Sequence, residues 1–400
     1  MTPEPLSGLV SYKLSGLVSY KLSFFQKLVL CHGLKFSLPQ DAPAEEIQAS
    51  FEKAYWKVER TLPLDLKEFT AANLRAIALN YIKCKAPKPL KALQKAVQQL
   101  KRRSDIVITK PDKVSGVVVM DRADYVHLLH DASIKDTSKF IPVSKERPKR
   151  KGRPPKYYHP LLEKEQQLDS AVRKILPKSI ADKICGSGSR LAHLYGLPKT
   201  HKENLSMRPI LSATGTYNYE LAKWLDEKLK PLSINRFTIT DIFAFATEMK
   251  GTKLNEEDIL VSFDVSSLFT NIPLDETITI LAKKAFTENW FNETYDLNIK
   301  ESDLVTLLQL ATKDQLFQFE GNLYQIDGVA MGSPLGPLMA NAFLCSLEEK
   351  LARDNKLPNL YRRYVDDTIT AMPDIAGAES FLSTLNECHP SISFTMELPS

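Results

Sequence analysis

The sequence predicts an α+β fold, on three observations. Short β-branched runs and stretches of helical spacing follow one another without the regular strand–helix alternation that builds a parallel sheet. Hydrophobic residues make up 43% of the 400, enough for a full core. Neighbouring strand pairs, 106–109 with 117–120 and 360–365 with 368–372, are separated by turn chemistry.

The elements follow in order. Residues 6–13 (LSGLVSYK) recur unchanged as 14–21; two copies are too few to stack as a solenoid and read as a duplication in an unconstrained tail. Residues 43–60 place Ile47, Phe51, Tyr55 and Val58 at helical spacing. A second helix is predicted over 89–103, opened by Pro89 and closed by Lys101, Arg102 and Arg103. Strands over 106–109 and 117–120 flank KPDKVSG, and strands over 189–195 and 207–213 flank GLPKTHKENLS. Helices are predicted over 218–230 and 273–289, the latter begun by Pro273. Residues 259–265 form an apolar strand that closes on Asp264. Ser333-Pro334 supplies an N-cap and first turn for a helix over 334–353. The strands 360–365 and 368–372 form a hairpin with Asp366-Asp367 at its tip.

The net charge of +5 is local. Lys145, Arg147, Lys149, Arg150, Lys151, Arg153 and Lys156 stand against Glu146 alone, so the block 145–156 carries more than the whole net charge. Such blocks are solvated and attract polyanions. Cys31, Cys84, Cys185, Cys345 and Cys388 are scattered, without a CxxC pair, as expected of free thiols in a reducing compartment. The apolar stretch near the N-terminus is interrupted by Lys21, Gln26 and Lys27; it makes a poor signal peptide and is too short to span a bilayer. A soluble, intracellular protein is expected.

Four constellations carry chemistry. Asp366 and Asp367 are adjacent carboxylates in strand-forming surroundings, whose repulsion a divalent cation would relieve; singly, an exposed Asp-Asp turn is the plainer reading. Asp264 ends an apolar strand, where a desolvated, unpaired carboxylate is costly. Together the two supply carboxylates from two strands, the donor set for in-line phosphoryl displacement with two Mg²⁺ ions. Gly332, in GVAMGSPLGP, leaves room for a base or sugar against the backbone, next to the N–H groups of a helix start. Lys199 and Arg208, near the turn between two strands, suit a triphosphate, the arginine as a fork and the lysine as a point charge.

The ordered series LPKTHK…MRPI, FDVSSLFTNIP, GVAMGSPLGP and YVDD resembles reverse transcriptases. More narrowly it is similar to the Penelope-like retroelement group, whose polymerase core is similar to that of telomerase. The resemblance spans about residues 105–398 and implies a right-hand polymerase with fingers and an antiparallel palm sheet. It implies that Asp264 and Asp366 bind two Mg²⁺ ions, for which Mn²⁺ can substitute, with the Val265 carbonyl assisting and Asp367 in support. It further implies that Lys199 and Arg208 contact the incoming triphosphate, that Met331 and Gly332 line the nucleotide site, and that Phe269 excludes a ribose 2′-hydroxyl. RNA template, DNA primer or target, and dNTPs are the implied partners; no membrane is. Lys149, Arg150, Lys151 and Arg153 resemble both an AT-hook and a nuclear-import cluster, which implies nucleic-acid binding and a nuclear location.

The resemblance has departures. Met331 stands where many reverse transcriptases have glutamine, and Val114 and Ser115 replace a more glycine-rich turn. The sequence given ends at Ser400, so the thumb, the later palm motifs and the GIY-YIG endonuclease of many relatives are expected to be missing. The expected organisation is a variable tail over 1–45, a helical region over 46–104, fingers over 105–258 with a basic linker at 144–160, and a truncated palm over 259–400. RNA-directed DNA polymerisation is the leading expectation. A truncated, non-catalytic nucleic-acid-binding remnant is the alternative, and an RNA-dependent RNA polymerase, which has no need of Phe269 as a gate, a third.

Overall fold

The computed structural model describes residues 18–36, 43–83, 88–144, 158–186, 188–255, 257–266, 268–326 and 332–398. Most of the duplication, the basic block 145–156 and Met331 lie outside the described residues.

Helix α1 (Phe24–Cys31) opens with a reciprocal cap: Ser23 Oγ accepts from the Gln26 N–H at 3.3 Å, and Gln26 Oε1 accepts from the Ser23 N–H at 2.9 Å. The stretch that the sequence presents as a broken apolar run is therefore a short capped helix, with Gln26, Val29 and Leu30 buried. Helices α2 (Ala44–Val58) and α3 (Leu64–Lys83) pair with each other, and α4 (Lys88–Arg102) packs on α1. Helix α3 was not expected from the sequence. Strands β1 (Ile106–Thr109) and β2 (Val118–Asp121) pair antiparallel, followed by α5 (Arg122–Asp131). Ile106, Val117 and Val119 join Val29, Leu30, Ala96 and Leu100 in a small core. The described parts of residues 1–128, with 197–208, form one compact unit; residues 129–196 and 209–400 form another.

The chain continues through β3 (Phe140–Val143), α6 (Pro160–Ile175), α7 (Lys178–Ile184), β4 (Ala192–Pro198), β5 (Met207–Ser212), α8 (Tyr219–Leu229) and α9 (Ile242–Gly251). Next come β6 (Ile259–Val265), α10 (Leu268–Asn271), α11 (Leu274–Phe286), α12 (Trp290–Tyr295), α13 (Glu301–Thr312), β7 (Gln315–Phe319) and β8 (Asn322–Ile326). Last are α14 (Leu335–Arg353), β9 (Tyr361–Tyr364), β10 (Asp367–Met372), α15 (Ile375–Glu387) and β11 (Phe394–Glu397). One sheet has the order β11-β6-β10-β9 and is antiparallel throughout; the other, β3-β8-β7-β4-β5, is mixed, because β4 runs parallel to β7. The fold is α+β, as the sequence predicts.

Three local expectations are corrected. Strand β4 starts at Ala192 rather than at residue 189. Helix α14 is capped by Pro334 without a side-chain bond, so Ser333 contributes its carbonyl, which accepts from the Gly336 N–H at 3.1 Å. Asp367 is the first paired residue of β10, which leaves Val365 and Asp366 as the hairpin tip.

Helix α14 positions the site. It is apolar on nearly every side, as a helix buried within a core must be. Leu335, Leu338, Met339 and Ala342 pack with α6, α7, α8, α11 and α13, while Ala340, Phe343, Leu344, Leu347 and Leu351 pack beneath the antiparallel sheet with α15. Phe263, fully buried on β6, meets Phe381 of α15 edge-on with ring centroids 5.4 Å apart. No described helix is long and apolar enough to cross a membrane.

Truncating Phe263 removes the ring that joins this sheet to α15. Phe263→Ala is expected to lower stability by about 3–5 kcal/mol in urea unfolding. A loss below about 1 kcal/mol would contradict a close-packed layer at this point.

Candidate active site

Strand β6 alternates. Val261, Phe263 and Val265 face the core, while Leu260, Ser262 and Asp264 face the other way. Strand β10 does the same, with Thr368, Thr370 and Met372 inward and Asp367, Ile369 and Ala371 outward. Asp264 is therefore half-exposed on the open face.

In the antiparallel register Asp264 lies directly opposite Asp367, with Thr395 of β11 on its other side. Buried threonines fix that register. Thr368 Oγ1 accepts from the Phe263 N–H at 3.2 Å and donates to the Phe263 carbonyl at 3.0 Å; Thr370 Oγ1 donates to the Val261 carbonyl at 3.2 Å. Like charges directly opposed across a strand pair disfavour it, and a divalent cation between the two carboxylates would offset that.

The hairpin places the third carboxylate. Tyr364 pairs with Asp367, and the two-residue loop between them has φ +57° at Val365 while Asp366 is not left-handed. That sign pattern belongs to a type II′ turn, where glycine is the favoured first residue. For valine the left-handed region costs roughly 1–2 kcal/mol. The Val365 carbonyl accepts from Arg363 Nη1 at 2.9 Å, a bond that sequence reasoning missed because Arg362-Arg363 reads as a surface basic pair.

Other expected residues fall as follows. The Val265 side chain is buried, opposite Phe394. Phe269, on α10, is half-buried; a Cβ added at Gly336, on the first turn of α14, would lie 3.6 Å from its ring. Gly332 has φ +112°, and an added Cβ would lie 2.4 Å from the Leu211 carbonyl oxygen of β5. The glycine is thus required by packing of the chain on itself. Met331 lies outside the described residues.

Lys199 and Arg208 belong to the first unit. Lys199 and Ser206 close the hairpin through a 2.8 Å backbone bond, and the Asp112 N–H donates to the Pro198 carbonyl at 2.8 Å, tying the KPDK turn to it. Asp112 is 5% exposed, and its Oδ2 lies 3.2 Å from Arg208 Nε without the alignment of a hydrogen bond. Burial, then the charges of Arg208 and Lys202, hold the Lys199 amine below its ordinary range. An anion bound there would reverse that shift.

Among the described residues, no three His, Cys, Asp or Glu side chains converge as a ready-made cation cage. Mg²⁺ does not ask for one, since it is commonly held by one or two carboxylates plus substrate phosphates. Asp264 and Asp367 on one open face, with Asp366 in the adjoining loop, fit that donor set.

The sequence pattern of the reverse transcriptase (RNA-dependent DNA polymerase) family matches residues 198–397, half of the chain, and the chain belongs to that family. A 94-residue stretch is 29% identical to telomerase reverse transcriptase of Rattus norvegicus, covering 23% of this chain but 8% of that protein. Similar solved structures are telomerase from Candida albicans in complex with a fragment of telomeric RNA (TM-score 0.48, 13% identity, 94% of this chain and 69% of that one) and apo telomerase from Candida tropicalis (TM-score 0.49, 14% identity, 96% and 69%).

The two glycines of the GSPLG run make opposite predictions. Gly332→Ala is expected to lose about 1–3 kcal/mol from its backbone conformation alone, with the clash on Leu211 in addition. Gly336→Ala, which meets ordinary contact and gains helix propensity, stays close to the parent. Equal urea midpoints for the two variants would contradict this packing.

Proposed function

We propose that this chain is an RNA-templated DNA polymerase of a Penelope-like retroelement, extending a primer 3′-hydroxyl with dNTPs. The observation that carries the reading is the direct opposition of Asp264 and Asp367 beside Asp366 on a left-handed turn. The ordered motifs support the retroelement assignment. In this reading residues 105–258 are the fingers and 259–400 the palm.

Asp264 and Asp366, with the Val265 carbonyl, hold two Mg²⁺ ions, and Asp367 supports them. When bound, the ions neutralise and align the oxygens of an in-line displacement. Lys199 and Arg208 take the triphosphate charge, which matches the cationic, partly desolvated setting of Lys199. Phe269, braced against Gly336, excludes a 2′-hydroxyl. The basic run Lys149, Arg150, Lys151 and Arg153 adds phosphate affinity and nuclear import. An RNA template and a DNA primer or target are the partners.

The test is addition of one dNTP to a DNA primer on an RNA template by the full chain, with Mg²⁺ or Mn²⁺. Asp366→Asn is expected to abolish addition without changing RNA–DNA affinity. Arg208→Ala is expected to raise KM for dNTP about ten- to a hundredfold, the equivalent of a charge-assisted hydrogen bond of about 1.5–3 kcal/mol. Addition that survives Asp366→Asn overturns the mechanism; hybrid binding without any addition favours a nucleic-acid-binding remnant.

A further inference from the structure

Beneath the hairpin lies a buried ionic group that the proposed chemistry does not use. Arg363 of β9 is 1% exposed and Glu348 of α14 is 2% exposed, and Arg363 Nε donates to Glu348 Oε1. Arg363 Nη2 adds bonds to Glu348 Oε2 at 3.3 Å and to Cys345 Sγ at 3.4 Å, while Nη1 donates to Asn341 Oδ1 at 2.8 Å. Glu348 also accepts from the Tyr361 hydroxyl at 3.2 Å and from Asn235 Nδ2 at 2.7 Å. Burial, then the Glu348 charge, hold the Tyr361 hydroxyl well above its ordinary range, so it stays a donor.

The geometry of this group is directional. Asn341, Cys345 and Glu348 are spaced along one stripe of α14, and all three engage one guanidinium. The backbone of Arg363 is fixed as well: its N–H donates to the Phe237 carbonyl at 2.9 Å, and its carbonyl accepts from the Ile239 N–H at 2.7 Å. Of the five N–H donors on the guanidinium, one is spent on the Val365 carbonyl, at 2.9 Å. Val365 is the residue held at φ +57°, a conformation a β-branched side chain keeps only when its surroundings over-determine it. Bulk alone does not explain a buried ion pair at this point, because an apolar pair of similar volume is often as stable or more so.

We infer that Arg363, oriented by Glu348 and Asn341, is a positioning residue that clamps the Val365 turn and so sets Asp366 and Asp367 for cation binding. This rests on the polymerase reading of the same site. The clamp links the rigid helix α14 to the loop through one side chain. It therefore acts on metal affinity and on turnover, not on nucleotide affinity.

The test separates positioning from stability. The double variant Arg363→Met/Glu348→Gln removes the charges together; the glutamine oxygen still accepts from Asn235, and its amide can donate to the Tyr361 oxygen. Its melting temperature without metal is expected to stay within a few degrees of the parent, while the Mn²⁺ concentration needed for half-maximal thermal stabilisation rises at least tenfold. Where single dNTP addition is measured, kcat falls and KM for dNTP stays within about twofold. Arg363→Lys keeps a cation beside Glu348 but cannot fork to Val365 and Asn341 at once; it is expected to show the same metal shift and decides the matter if the double variant does not fold. Parent-like Mn²⁺ dependence in a folded double variant, or in Arg363→Lys, overturns the clamp. A parent protein whose Mn²⁺ response is unchanged by Asp366→Asn overturns the underlying reading instead.

Discussion

The buried pair of Arg363 and Glu348 is the constraint on which the rest of the site depends. Two charges out of water are tolerable only when every donor and acceptor finds a partner. Here the partners come from α14, from Asn235 and Tyr361, and from the backbone of the hairpin turn itself. Helix α14 can play this part because it is packed on both sides, against the helical layer and against the antiparallel sheet. A helix held on two faces has little freedom to move, so what it anchors is equally fixed.

Above that anchor the sheet is arranged against its own electrostatic preference. Buried threonine hydroxyls hold β10 in the register that opposes Asp367 to Asp264. A one-residue slip would turn every side chain of β10 to the other face, burying the aspartate and exposing Met372. The hydrophobic pattern therefore enforces the juxtaposition of carboxylates. The left-handed valine at the tip is a second local conflict, maintained by a bond from the same arginine. Departures from local preference that the surroundings over-determine tend to mark functional positions.

Much of this was legible in the sequence. An apolar run marked β6, strand-forming residues around a turn marked the hairpin, and Pro273 marked the entry to α11, because these are short-range signals that burial reinforces. The carboxylates were legible as residue types but not in their geometry: Ile259–Val265 looks apolar throughout, and only the strand's alternation puts Asp264 on the open face of the sheet. Gly332 was legible as a needed glycine, but its contact with Leu211, far away in sequence, was not. Arg363 was illegible. Beside Arg362 it looks like surface charge, and nothing nearby in sequence announces that Glu348 on a preceding helix is its partner.

The central claim is that Asp264 and Asp366, with Asp367 in support, are a cation site held in place by the fold. Thermal melting of the full chain against Mg²⁺ concentration tests it most directly. A cation that binds the folded chain alone raises stability by mass action, by about 2.7 kcal/mol at a hundred times its dissociation constant. The account predicts a saturable rise in melting temperature for the parent, absent from an Asp264→Asn/Asp366→Asn variant that melts cooperatively. An equal rise in the two proteins, or none in the parent, would contradict it.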